Sequence, residues 1–396
     1  MMLSQRPRTG RLMILVGASL AVICGMLYVC RNLFWDRGFE ITDELGGNIF
    51  PSAILSTAAT DAEIMVPADS NYVGKPLSGI ALRVTSGRAN TRVRVTLKES
   101  PFFSESISEF VLPKAGTEYT VYPEIVWNYE ALKNNVQSTP LTFTVRMEMD
   151  GKELPVRTKT LSVRSVNECL LGYLDSRNKY HDTGIFFAAY VNEENPLIDK
   201  VLREALNARI VKRFWGYQGT AEQVDRQVYA LWYVLQKRNF KYSSISNTSL
   251  SSNVVFAQRV RTFDDALAAA QINCVDGSVL FASLLKAINI NPILVRLPGH
   301  MFVGYYTDKT HKHVNFLETT LIGEVNLDDF FPEEALDSTV VGKSQAEVSR
   351  LTFEKSKQYA TRKYEESKDK IEAGERNYMF LEISRETRSR VQPIGK

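Results

Sequence analysis

Apolar positions along the chain change their period twice, and each change marks a different kind of structure. The first run starts at Leu12 and ends at Cys30 (residues 12–30) and is apolar or small throughout. That is about the 20 residues a helix needs to cross a bilayer. From residue 38 to about 166 the texture is short, alternating and β-branched, at residues 62–66, 77–84, 91–97, 117–126, 141–149 and 156–163. Turn residues separate these runs, as in Ser86-Gly87, Lys114-Ala115-Gly116 and Asp150-Gly151. Strands divided by such turns predict an all-β sandwich of immunoglobulin-like size, with Asp150-Gly151 closing a hairpin.

From Glu168 the period becomes helical. Residues 196–215 carry Leu197, Val201, Leu202, Ala205, Leu206, Ile210 and Phe214 on one stripe. Thr220 opens a second helix, where Val224, Val228, Leu231, Trp232 and Leu235 recur. The aromatics Phe214, Trp215, Tyr229, Trp232 and Tyr233 at this spacing read as core before they read as a substrate box. Residues 242–253 form a polar Ser/Asn-rich loop. A strand at 254–261 and a helix at 262–270 follow, then a buried helix from Cys274 to about Ala287 and strands at 293–297, 300–306 and 314–319. Residues 344–373 read as an exposed charged helix and 378–383 as a short strand. The expected fold class is thus α+β, with a sandwich and a transmembrane helix ahead of it. The expected divisions are a cytoplasmic tail at 1–11, a signal anchor at 12–35, the sandwich at 38–166, a catalytic domain at 167–331 and a charged helix and tail at 332–396.

Charge orients the first segment. Arg6, Arg8 and Arg11 precede it with no acidic residue among them, whereas Arg31 and Arg37 follow with Asp36 and Glu40 nearby. That bias favours the N-terminus inside and the later domains on the periplasmic or extracellular side of the inner membrane. A cleaved signal peptide is the alternative, but Ala-x-Ala-like small residues are missing after the apolar run. At 396 residues, 44% hydrophobic and 23% charged, the chain is long enough for two compact domains besides the anchor. Its net charge of +3 gives no reason to expect a nucleic-acid partner.

The chemistry concentrates after residue 271. Asn273 is a natural N-cap and Asp276 suits the first helical turn, so Cys274 falls at a helix N-terminus. Unpaired N–H groups and the helix dipole favour a thiolate there. His300 opens a strand after the turn Pro298-Gly299, and Glu318 lies at the end of the next strand. If those strands form a hairpin, His300 and Glu318 are opposite or diagonal, about 5–8 Å apart at Cβ. A thiol, an imidazole and an orienting carboxylate are the parts of an activated cysteine nucleophile.

Asn273-Cys274-Val275-Asp276-Gly277, Pro298-Gly299-His300-Met301-Phe302-Val303 and Leu317-Glu318-Thr319-Thr320 resemble the transglutaminase-like superfamily, with its papain-type cysteine-enzyme core. The resemblance covers residues 196–323 and points to a bacterial membrane-anchored member. It departs at Glu318, where the family usually has Asp. It implies that Cys274, His300 and Glu318 are catalytic and that an upstream amide, Gln258 or Gln271, joins the Cys274 backbone N–H in an oxyanion hole, with Gln258 ahead.

The expected function is a membrane-anchored, exported protease or amide hydrolase, acting on peptide or side-chain amides in the cell envelope through a thioester. Transfer to an amine and a non-catalytic scaffold of the same fold are the alternatives. Cys169 is the only other cysteine outside the apolar run, and pairing with Cys274 would abolish the nucleophile. No cofactor or metal is expected: there is no phosphate-cradling glycine loop, and His311 and His313 lack a third ligand of matching type nearby.

Overall fold

A computed structural model describes residues 38–395, except 62, 66, 68–69, 77–78, 244–249 and 324–325. The expected anchor, residues 12–30, lies outside the described residues. Among the described residues no helix is long and apolar enough to cross a membrane. The 28-residue helix Gln345–Glu372 has the length, but its sequence is mostly charged and polar. The expected transmembrane anchor, the single-pass inner-membrane location with a periplasmic side, and the membrane as partner are therefore corrected: no described segment supplies the roughly 20 apolar helical residues they require.

The first unit begins with β1 (Glu40–Asp43), β2 (Asn48–Ile49), helix α1 (Pro51–Thr57), β3 (Tyr72–Gly74) and β4 (Ile80–Thr85). It continues through β5 (Thr91–Leu97), β6 (Ser106–Leu112), β7 (Glu118–Tyr122), α2 (Tyr129–Lys133), β8 (Thr139–Met149), β9 (Lys152–Glu153) and β10 (Arg157–Val163). Two sheets result, ordered β1-β4-β7-β3 and β2-β10-β8-β5-β6, with β9 attached to β8. In β5, Val93, Val95 and Leu97 turn inward while Arg92 and Arg94 turn out. They meet Leu82, Val121, Phe143 and Val145 in one core shared by both sheets. Asp150 and Gly151 both adopt positive φ, 48° and 81°, the two-residue turn that matches strand twist between β8 and β9.

This is not the all-β immunoglobulin-like sandwich expected from the runs. Helices α1 and α2 interrupt it, and β3–β7 and β2–β10 pair in parallel. Helix α1 is buried almost throughout and packs against the following unit, with Ser52 Oγ donating to Glu168 O at 2.7 Å. The architecture is mixed α+β. Of the predicted runs, residues 63–65 form no strand, while 62 and 66 lie outside the described residues.

The second unit opens with β11 (Glu168–Leu174), β12 (Tyr180–Asp182), α3 (Ile198–Asn207), α4 (Ala221–Gln236), β13 (Lys241–Tyr242) and β14 (Val255–Arg259). Then come α5 (Phe263–Ala269), β15 (Gln271–Ile272), α6 (Cys274–Ala287), β16 (Pro292–Leu297), β17 (His300–Tyr306) and β18 (Val314–Leu317). It ends with α7 (Leu336–Val340), α8 (Gln345–Glu372), β19 (Met379–Glu382) and α9 (Arg385–Arg390). Helix α3 stops eight residues before the predicted stripe does, because Arg209 turns left-handed at φ 56°.

The sheet β18-β17-β16-β19 has a helical cover on each face. Leu294, Met301, Val303 and Tyr305 join the large core that includes α4 and α6. Ile293, Val295, Phe302 and Phe316 face the other way, onto Ala360 and Tyr364 of α8. Burying both faces fixes the register of β17, and with it the position of His300.

The two units meet at a buried ion pair, in which Arg164 donates to Glu168 from Nε at 2.7 Å and from Nη2 at 3.0 Å. Removing one partner of such a pair strands the other charge, at a cost of about 3–5 kcal/mol. Arg164→Ala is expected to lose stability in that range in urea denaturation; an unchanged midpoint would show that the junction does not depend on this pair.

Candidate active site

Helix α6 begins at the sulfur. The Asn273 side chain accepts a hydrogen bond from Asp276 N at 2.8 Å, and Asp276 Oδ2 accepts one from Asn273 N at 3.2 Å. This reciprocal cap satisfies two of the otherwise free donors of the first turn. Asp276 is itself buried, accepting from Arg261 N at 2.8 Å and pairing with the Arg261 guanidinium. Cys274 is buried to 8% exposure, with the chain fixed on both sides of it. Gly277 permits the next contact: a Cβ there would stand 2.8 Å from Thr319 Oγ1. The start of α6 can therefore lie directly against the turn that follows β18.

That turn holds the carboxylate. Strand β18 ends at Leu317, paired with Val303, and Glu318 caps the short helical turn Thr319–Ile322. In this register Glu318 is diagonal to His300, as the hairpin reading allowed. Glu318 Oε2 lies 2.5 Å from His300 Nε2, and Glu318 Oε1 accepts from Thr320 N at 3.1 Å and Thr320 Oγ1 at 2.7 Å. Helix α8 grips the same residue from behind: Ser356 Oγ donates to Glu318 O at 3.2 Å. Glu318 has no solvent exposure, whereas the His300 side chain keeps 25%.

Burial by itself pushes the His300 pKa down. Hydrogen bonds with Cys274 and Glu318, reinforced by their charges, outweigh it and raise the ring to about 10. Nε2 is committed to Glu318, so Nδ1 is the ring nitrogen left for a second partner. The raised value favours the protonated ring at neutral pH, between the Glu318 carboxylate and the Cys274 sulfur. Cys169 is the chemical opposite. It is fully buried, burial raises its thiol, and both it and Cys274 are free.

Gln258 stands on β14 as the register partner of Cys169, and its Nε2 donates to Arg259 O at 3.1 Å. Gln271 is exposed on β15. Three contributors escaped the sequence reading. Thr320 supplies two of the donors to Glu318. Tyr242 lies alongside Ile272 through the β13–β15 pair, and its hydroxyl is raised first by burial and then by the charges of Cys274 and Glu318. Asn273 was read only as a cap, yet its Nδ2 is buried without an acceptor one residue from the sulfur. Among the described residues no group of three or more His, Cys, Asp or Glu side chains could hold a metal ion.

No protein-family model and no curated protein matches this chain. The resemblance to the transglutaminase-like superfamily, to a bacterial membrane-anchored member of it and to its fold is corrected by that finding. The function built on it is corrected too. A membrane-anchored, exported transglutaminase-like protease or amide hydrolase, with its cell-envelope peptide substrate, has no matching family and no described membrane helix behind it. The same holds for the scaffold of that fold and for the amine-accepting transferase. What remains is local geometry, which stands without any family.

The folded-state His300 value lies above the unfolded value of about 6.5. Its contribution to stability is therefore complete below about pH 6.5 and is lost as pH rises through 10. Titration of the His300 ring by NMR is expected to show the raised value in the native chain and a fall in Glu318→Gln, which removes the partner charge. A ring titrating near 6.5 in both would mean that the carboxylate does not act on it.

Proposed function

We propose that Cys274, His300 and Glu318 form the centre of a cysteine hydrolase. The observation that carries this reading is one imidazole joined to Glu318 at 2.5 Å, its pKa raised by the neighbouring Cys274 at a helix start and by that carboxylate. The Cys274 sulfur, whose proton the His300 ring has taken, attacks an acyl carbon, and the electron pair of the carbonyl moves onto its oxygen. The backbone N–H of Cys274, a free donor of the first turn, faces that developing charge. Gln258 is the candidate second donor, and to serve it has to exchange Arg259 O for the substrate.

When the tetrahedral species collapses, the bond to the leaving group breaks and the His300 proton goes to the departing atom. Water then adds to the S-acyl carbon, gives a proton back to the ring, and restores the sulfur. Glu318 keeps the ring oriented through both steps and steadies its charge. The role of Thr320 is to hold the carboxylate, so it acts through Glu318 and touches no substrate.

The test is a thiol-directed reagent and an activated ester used side by side. Iodoacetamide at pH 7 is expected to modify Cys274 and spare Cys169, as peptide mapping would show. Release of 4-nitrophenol from 4-nitrophenyl acetate is expected to vanish in Cys274→Ala. In His300→Ala it should fall roughly 100- to 10,000-fold, the usual worth of general acid–base catalysis. Equal modification of both cysteines, or ester cleavage indifferent to Cys274, would overturn the assignment.

A further inference from the structure

A cleft of about 330 Å³ opens on the flank of His300, between the Pro298 turn and helix α8. Pro298, His300, Tyr359, Lys363, Glu366 and Tyr378 line it, and Cys274 does not. That asymmetry has a chemical meaning on the hydrolase reading proposed above, on which this inference rests. The acyl group is attached to the sulfur, whereas the leaving group departs from the side that receives the His300 proton. A cleft walled by the imidazole and not by the thiol is therefore where the leaving group sits. We infer that this cleft is a leaving-group subsite for a flat aromatic group carrying a carboxylate, with Tyr359 and Tyr378 as its walls and Lys363 as its anion partner.

The walls argue for the aromatic part. Tyr359 is half-buried and packs edge-on to Phe330, with ring centroids 5.1 Å apart. Such packing fixes the ring and makes it a firm stacking surface. The charges argue for the carboxylate. Lys363, the cation that lines the cleft, has its Nζ 5.6 Å from the Tyr359 ring centre. Against it the cleft presents Glu366, which holds Lys363 at 3.1 Å in a partly exposed pair. Pairs of this kind are weak, so a substrate carboxylate can take the place of Glu366 at little cost. The reaction is unchanged in its balance: an S–acyl bond forms, the acyl–oxygen bond breaks, and the His300 proton leaves on the phenol.

Phenyl acetate and 4-carboxyphenyl acetate transfer the same acetyl group and differ only in what departs. Their acylation rates report the subsite, while hydrolysis of the common acetyl-enzyme does not. Pre-steady-state kinetics on the full chain are expected to show the preference for 4-carboxyphenyl acetate falling about tenfold in Lys363→Met and recovering in Lys363→Arg. Glu366→Gln should raise it, because Lys363 is released, and Tyr359→Ala should slow acylation by both esters. Deacylation should stay at the wild-type rate in every variant, which a general loss of structure would not allow. If acetylation of Cys274 occurs but the preference ignores Lys363 and Glu366, the subsite is wrong and the hydrolase reading survives. If no acetyl group reaches Cys274 from either ester, both fall together.

Discussion

Glu318 is a carboxylate with no exposure to solvent, and a buried charge persists only where donors surround it. Two donors come from Thr320 and the third from His300, so both oxygens are occupied. Everything near the site serves that requirement. The chain leaves the sheet after Leu317 so that the Thr320 N–H can turn back. Ser356 of α8 fixes the backbone of Glu318, and the turn comes to rest on Gly277 of α6. The turn that buries the carboxylate thereby also rests against the start of the helix that carries Cys274. A longer side chain at this position has a use: one oxygen can reach the ring while the other caps its own turn.

Much of this was legible from sequence where periodicity and burial agree. Cys274 to Ala287 reads as a capped helix and folds as one; residues 300–306 read as a strand and pair on both sides. The two-residue period left His300 and Glu318 opposite or diagonal if the strands formed a hairpin, and the β17–β18 register makes them diagonal. What escaped detection did so because burial was achieved without apolar residues. Helix α8 looked like an exposed charged rod, yet its inner stripe is Ser349, Thr352, Phe353, Ser356 and Ala360. Small and hydroxylated residues there let the helix approach Glu318 closely, and no hydropathy pattern records that.

The edge strand β6 was not among the predicted runs. Ser106 and Ser108 point inward, accepting from Val126 N and Glu124 N, both at 2.9 Å, while Ile107 and Val111 are half exposed. Apolar residues fall on both faces, with Leu112 buried beside those serines, so the strand carries no clean period. The immunoglobulin-like expectation failed for a related reason. Two-residue and three-residue strands such as β2 and β3 are too short to carry a period, and they are the ones that pair in parallel. The buried helix α1 was invisible too, because Pro51, Ser52, Ser56 and Thr57 spend their burial on hydrogen bonds and close packing.

The two cysteines show why a residue type says less than its surroundings. Cys169 and Cys274 are both buried and free. Cys169 lies near the start of β11 with the core around it, where desolvation opposes the charged form. Cys274 meets an imidazole and the positive end of α6, a helix whose cap is locked by Asp276 and Arg261. Burial of similar depth therefore has different company: around Cys169 desolvation outweighs the nearby Arg296 charge, while Cys274 stands at a helix start beside the His300 ring. The chemistry of this site lies in that company, and it is fixed by the turn at Glu318 more than by the sulfur itself.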